Sequence, residues 1–264
     1  MRGNIVNLKF SNLNNIIMET MEEINFTDQF FKREHYEAFN PEKAGNEDYD
    51  RERMAVADRL LDLDSILWPE IQLKKWNISH HPMQNHWTST WQLSQAKAFF
   101  ENEVKAVWLH YGKSKIELET FKEFQSEESS ETFIYHIRLQ LVLRNNDFEI
   151  ALVLGKNKGG RWDRGRYKEL MQNPDYRKRI FEMLKNLDDD YWIDFNDSNK
   201  MVKEFKTADE LFEYTKHDKI ESYFTFGKNI QPDNDSISEK NIVQTIMNEF
   251  EKLYPLYSMF KYRM

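Results

Sequence analysis

The sequence contains no cysteine, which excludes disulfide bonds, a thiolate nucleophile and a cysteine-ligated zinc site. It also lacks long apolar runs, because charged residues interrupt every hydrophobic stretch well before the roughly 18–20 residues that span a bilayer. The first 25 residues do not combine a basic start with the continuous apolar segment of a secretory signal. We therefore expect a cytoplasmic protein without a membrane segment.

Positive charge is scarce, since 37 lysines and arginines face 45 acidic residues and the formal net charge is −8. This balance argues against nucleic-acid binding over the whole surface. The charge is unevenly spread, however: residues 156–179 hold nine bases and three acids, whereas residues 19–70 hold fifteen acids and six bases. We predict an electrically polarised molecule in which only the basic segment suits an anionic partner.

Bulky side chains are abundant, with 40% hydrophobic and 14% aromatic residues in 264. This is enough to build a large core and to offset the entropy of ordering the chain. We predict a single globular domain over residues 1–264. The alternative is a division into a helical part, 1–76, and an α+β part, 77–264.

Hydrophobic periodicity predicts an antiparallel β-meander of about four strands over residues 104–154. Residues 133–143 and 148–154 alternate apolar and polar side chains on either side of a turn at 145–147, which is typical of a hairpin. Upstream, apolar residues alternate from Val107 to Tyr111, and Ile116 and Leu118 suggest a further strand. The residues expected to be buried are Phe133, Ile137, Leu141, Ile150 and Leu152.

Helices are predicted around this meander, so the fold class is α+β. The N-terminal third has an apolar stripe at helical spacing from Met54 to Leu67, with Pro69 as the helix stop. Later helices are expected after Asn173-Pro174, after Thr207 with Glu210, and from Ser238 to a C-terminal helix ending near Pro255. Two short aromatic segments, Tyr191–Phe195 and Tyr223–Phe226, are predicted to extend the sheet.

The segment 155–168 is the strongest candidate for a binding site. It follows a predicted strand, holds four of the 8 glycines, and leads into a helix expected to begin near Asp163. Glycine lets a backbone approach an anion, a helix start offers free N–H groups, and arginine binds phosphate through two hydrogen bonds. The predicted phosphate or nucleic-acid contacts, with two rings for base stacking, are Lys156, Lys158, Arg161, Trp162, Arg164, Arg166 and Tyr167.

The other interpretation of this segment is a solvated loop that balances the acidic N-terminal third. Its spacing matches neither the nucleotide-binding P-loop nor the dinucleotide fingerprint. If the loop binds nucleic acid, replacing Arg161, Arg164 and Arg166 by alanine should weaken binding without large unfolding, because exposed loop substitutions change stability little.

The polar face of the meander is a second candidate site. If Leu109 and Tyr111 face the core, the alternate residues face away from it and form a rigid polar platform. Such a platform suits acid–base chemistry or nucleic-acid binding, although an ordinary solvent-facing sheet has the same pattern. The candidate residues are His110, His136 and Arg138.

Two further patterns bear on metals. His80, His81 and His86 could ligate zinc, but Pro82 breaks any helix that would align them, so we predict no bound metal. Glu103-Val104-Lys105 has the acid-x-Lys form of metal-dependent nucleases, but residues 65–102 contain no aspartate to complete it. A Gly-x-Ser-x-Gly elbow is also absent from the sequence.

These patterns favour a nucleic-acid or phosphate-ligand binding protein of the bacterial or phage cytosol, with no cofactor. The abundance of Asn, Lys and Ile is typical of an A/T-rich genome, which favours a role in defence or in a mobile element. One alternative is a protein-interaction or assembly subunit with an acidic helical surface. The other is a metal-dependent nuclease or other hydrolase, so the sequence leaves open whether the protein is an enzyme.

Overall fold

A computed structural model describes residues 26–80, 104–123 and 135–263. Its strands form one seven-stranded sheet in the order β1-β2-β3-β4-β7-β5-β6, with every neighbouring pair antiparallel. The strands are β1 (Ser79–His80), β2 (Ala106–Gly112), β3 (Arg138–Arg144), β4 (Phe148–Val153), β5 (Trp192–Phe195), β6 (Ser198–Met201) and β7 (Phe224–Ile230).

Helices precede, interrupt and follow these strands, so the predicted α+β class with a helical N-terminal region and a C-terminal helix is confirmed. The α-helices of the described ranges are α1 (Arg33–Glu37), α2 (Asp50–Leu73), α3 (Lys115–Glu123), α4 (Asn157–Gln172), α5 (Pro174–Lys185), α6 (Ala208–Thr215) and α7 (Ile242–Phe260). Short 3-10 helices lie at Glu47–Tyr49, Val202–Glu204 and Asp235–Ile237.

The described part of the segment 104–154 contains three strands of the predicted meander of about four. β2, β3 and β4 pair in sequence order, and Leu141 lies opposite both Leu109 and Ile150. The strand expected around Ile116 and Leu118 is wrong, because these residues lie in α3. Ser114 and Glu117 explain the difference: each donates its backbone N–H to the other's side chain, at 2.8 and 3.2 Å, forming a capping box that starts the helix.

The apolar face of the sheet packs against α2 and α7. Ile137, Leu141, Ile150 and Leu152 are buried there as predicted, whereas Phe133 lies outside the described residues. The second face was expected to be exposed to solvent, and this is wrong. Its residues are buried as well, so β3 and β4 have both faces covered along almost their whole length.

Prolines do not end α2 or α7 where the sequence suggested. Pro69 lies inside α2, which continues to Leu73, and Pro255 lies inside α7, which continues to Phe260. Pro69 and Ser65 are both exposed, so water can bond the Ser65 carbonyl that the proline ring leaves without a donor. Tertiary packing of the turn that follows Pro69 then outweighs the free-energy cost of a proline inside the helix.

Of the three later helix starts that the sequence predicted, two are confirmed and one is wrong. Asn173 caps α5 by accepting hydrogen bonds from the N–H groups of Asp175 and Tyr176, and the Thr207 hydroxyl accepts from Glu210 at the start of α6, as predicted. The expected Ser238 cap is wrong, because α7 begins after Asn241.

Most of the buried apolar residues of the described ranges form one contiguous cluster, which includes residues of α2, the sheet, α4 and α7. Within the same ranges, the longest helices are too short or too polar to cross a lipid bilayer.

Candidate nucleic-acid interface

The basic segment forms a helix rather than a loop. α4 begins at Asn157, about two turns before the start expected near Asp163. Gly155 has a φ of +79°, and a Cβ there would lie 1.9 Å from the Tyr135 carbonyl oxygen. At Gly160, a Cβ would lie 2.8 Å from the backbone carbon of Gly155. These two glycines therefore let α4 start close against its own chain.

Two of the predicted contacts, Arg164 and Tyr167, point into the protein. The Arg164 guanidinium is buried against the Asp218 carboxylate and also donates to the Gly155 and Ser222 carbonyls, at 3.1 and 2.5 Å. Tyr167 is buried, and its hydroxyl lies 2.9 Å from that of Thr215. The expectation that Arg164 is an exposed loop residue is wrong, because it joins α4 to the loop before β7.

The outer side of α4 carries the remaining bases of the segment. Lys158 and Arg161 are exposed, Arg166 is half-buried beside Glu169 at 2.8 Å, and Lys168 lies 3.0 Å from Asp218. Arg161 forms no ion pair with any residue in the described ranges. An exposed cation without an ion-pair partner can meet an anionic ligand without first breaking an existing pair.

An open groove of about 750 Å³ runs along one side of α4. We call it the first groove; it lies between the first turns of the helix and the segment 218–221. Lys158, Arg161 and Lys168 line it, and Asp218 and Glu221 are the acids at its wall. Asp218 pairs with both Arg164 and Lys168, whereas Arg161 has no ion-pair partner among the described residues.

A second open groove, also of about 750 Å³, lies on the other side of α4, between α5 and the end of α7. It combines arginines with tyrosines. Arg179 is exposed and, among described residues, has no acidic partner. Its lining includes Arg166, Tyr176, Arg179, Tyr254, Tyr262 and Arg263.

Trp162 supports this second groove from behind. Its ring centre lies 5.2 Å from that of Tyr262, which lines the groove. Trp162 is half-buried, so it offers less of its face to a ligand than the sequence suggested.

A scan against protein-family models finds no match, and a search of curated proteins finds no similar sequence. The case for function therefore rests on the geometry of this chain.

Lys156 belongs with the sheet-face candidates rather than with the outer side of α4. Its Nζ lies 4.5 Å from the centre of the Tyr223 ring, and the guanidinium carbon of Arg138 lies 5.5 Å from the same centre. Burial lowers the pKa of Lys156, and the charge of Arg138 lowers it further. Lys156, a residue of the basic segment, therefore lies beside the residues of the polar sheet face.

The sheet-face residues form a buried polar cluster. His110, His136 and Arg138 are all buried, and Arg138 donates to the Gln140 side chain at 2.9 Å and to the His136 carbonyl at 3.2 Å. Gln140 lies opposite His110 across β2 and β3. Burial also lowers the pKa of Arg138. Because the set is buried, it is not the solvent-facing platform that the alternation predicted.

The predicted metal patterns are only partly within the described residues. His81, His86 and Glu103 lie outside them. His80 packs flat on Trp68, with ring centres 4.1 Å apart, and its Nδ1 lies 3.1 Å from Asp64, which also accepts from the Tyr111 hydroxyl at 2.8 Å. The described ranges contain no group of three metal-ligating side chains, and Lys105 is exposed beside buried Val104.

Sequence reasoning missed the second groove because its walls come from separate helices. Tyr176 and Arg179 are three residues apart on α5, which places them on one helix face, and this spacing was a detectable signal. In the sequence, Arg179 is one of the nine bases of residues 156–179, and the charge count does not show that it lines a groove. Tyr254, Tyr262 and Arg263 join them solely through the tertiary packing of α7 against α4.

Proposed function

We propose that the protein binds a phosphate-bearing ligand, nucleic acid foremost, along the outer side of α4. The observation that carries this proposal is the pair of exposed arginines without acidic partners in the described ranges, Arg161 in the first groove and Arg179 in the second. In a chain with a formal net charge of −8, most surface should repel such a ligand.

The grooves add a reason for a linear polyanion. They flank the same helix, so a phosphate backbone crossing α4 meets bases on both sides. Each phosphate neutralised by lysine or arginine releases counterions, which makes affinity fall steeply with salt.

The test is a triple variant, Lys158→Ala, Arg161→Ala and Arg166→Ala, that leaves buried Arg164 in place. With labelled DNA and RNA oligonucleotides, we expect weaker binding and a salt slope smaller by about 2–3, because each lost phosphate contact removes about 0.7–0.9. The readout is fluorescence anisotropy at a series of salt concentrations.

The matched control replaces Lys115, Lys216 and Lys240 by alanine, which changes the net charge equally. All three are exposed and pair only with exposed acids. We expect this variant to bind like the wild type. Equal losses in both triple variants would show a nonspecific charge effect, and no binding by the wild type would refute the proposed function.

A further inference from the structure

The second groove has features that a site for phosphates alone does not need. Tyr176 is 42% exposed, and the other Phe, Tyr and Trp side chains that the structure describes are all buried or half-buried. One turn later on α5, Arg179 lies on the same helix face. An exposed aromatic ring beside a free guanidinium offers two flat surfaces on which a base can stack.

The opposite wall holds further aromatic rings in fixed positions. Tyr254 stacks on Trp76 with ring centres 4.7 Å apart, and its hydroxyl accepts a hydrogen bond from the Asn77 N–H at 2.9 Å. Tyr262 is backed by Trp162, and its own N–H donates to Asp163 at 2.8 Å. Rings held in this way lose little conformational entropy when a ligand packs on them.

The charge of the groove selects an anionic occupant. Arg166, Arg179 and Arg263 lie along it, and among the described residues of its lining the one acid is Glu169, which pairs with Arg166. Arg263 donates a hydrogen bond to the Ser258 hydroxyl at 3.2 Å. Because this hydroxyl is uncharged, the bond does not neutralise the charge of Arg263. A purely apolar partner would gain nothing from these arginines.

We infer that the second groove binds single-stranded nucleic acid, with bases stacked on Tyr176 and its neighbours and phosphates on the arginines. In a duplex the base faces are covered by their neighbours, so this groove can use them only in an unpaired strand. The inference rests on the proposed function and adds that the nucleic acid is single-stranded.

The test compares three labelled probes of equal phosphate number on the full chain: a 12-nucleotide single strand, a duplex, and an abasic single strand. We expect the single strand to bind at least about tenfold more tightly than the abasic probe. Tyr176→Ala should weaken binding of the normal strand by about 5- to 160-fold, the range that stacking of one base is worth. The same substitution should leave the abasic probe unaffected.

Two further variants separate stacking from other causes. Tyr176→Phe keeps the ring and should bind like the wild type, whereas Tyr49→Ala removes a tyrosine from the acidic N-terminal region and should change nothing. If the abasic probe and the duplex bind as tightly as the normal strand, and Tyr176→Ala binds like the wild type, the stacking inference is overturned. The proposed function survives that result if the α4 triple variant still loses affinity; it falls if no probe binds or if that variant binds like the wild type.

Discussion

At the scale of single residues, neighbouring side chains on α4 serve different parts of the fold. Arg164 pairs with Asp218 in the loop before β7. Asp163 instead bonds Lys113 just after β2, Ile137 just before β3, and Tyr262. The Asp163 carboxylate is fully buried and lies 2.8 Å from the Nζ of Lys113, which is buried as well. It also accepts hydrogen bonds from the N–H groups of Ile137 and Tyr262.

Replacing Asp163 by asparagine should therefore destabilise the protein strongly. Lys113 would stay buried without its counter-charge, and breaking a buried ion pair in this way costs about 3–5 kcal/mol. Burial already lowers the pKa of Lys113, so its charge depends on this partner. The free energy of unfolding from urea titration measures the effect.

Asp209→Asn is the matched control, because Asp209 is largely exposed beside Arg177. We expect a change within about 0.5 kcal/mol, as for exposed ion pairs in general. Similar losses for the two variants would show that the buried pair contributes no more than a surface pair.

At the scale of elements, the glycines of α4 determine how closely the helix can pack. The sequence suggested that they open the backbone to an anion. In the structure, Gly160 instead lies against the backbone of Gly155, while Gly165 faces open space on the outer side. The same residue type thus has two roles that sequence cannot separate, because both depend on what lies across from the helix.

Alanine substitutions at these positions should have opposite effects. Gly165→Ala should raise the free energy of unfolding by about 1 kcal/mol, since alanine is the better helix former and nothing blocks its Cβ. Gly160→Ala should lower it by about 1–3 kcal/mol, because the helix must move away from backbone that cannot yield. Thermal melts of both variants check this, and a stabilising Gly160→Ala would contradict the close start of α4.

Elements with strong local signals were predictable, and those set by packing were not. Asn173-Pro174 and the period-two alternation of β4 act within a few residues, so the sequence indicates them directly. The apolar residues Ile116 and Leu118 are two apart, which suggested a strand. The capping box of Ser114 and Glu117 instead indicates a helix, and the structure has the helix α3 there. α2 and α7 continue through proline because their next turns are buried against the sheet and each other.

At the scale of the whole molecule, the N-terminal helical region is part of the common core. α2 packs against β2 and α7, and Leu60, Leu63 and Leu67 on it are fully buried. A fragment of residues 77–264 would leave the apolar face of the sheet partly uncovered. We therefore expect a division at residue 76 to cut through one core rather than between two.

We expect that fragment to lack a cooperative unfolding transition and to bind a hydrophobic dye, as loosely packed states do. The full chain should show coincident transitions by circular dichroism and tryptophan fluorescence, which is the behaviour of a single cooperative unit. A fragment that melts cooperatively near the temperature of the full chain would instead support two separate parts.

The sequence by itself determined the α+β class, the hairpin of β3 and β4, the charge asymmetry and the basic character of α4, because these depend on composition and on contacts between residues near in the chain. Tertiary structure decided which bases stay exposed, since burial of Arg164 depends on Asp218, 54 residues away. It also covered the polar sheet face and brought α5 and α7 together around Tyr176, Arg179 and Tyr262. Such groupings depend on which distant surfaces pack together, and a one-dimensional pattern of polarity does not encode that choice.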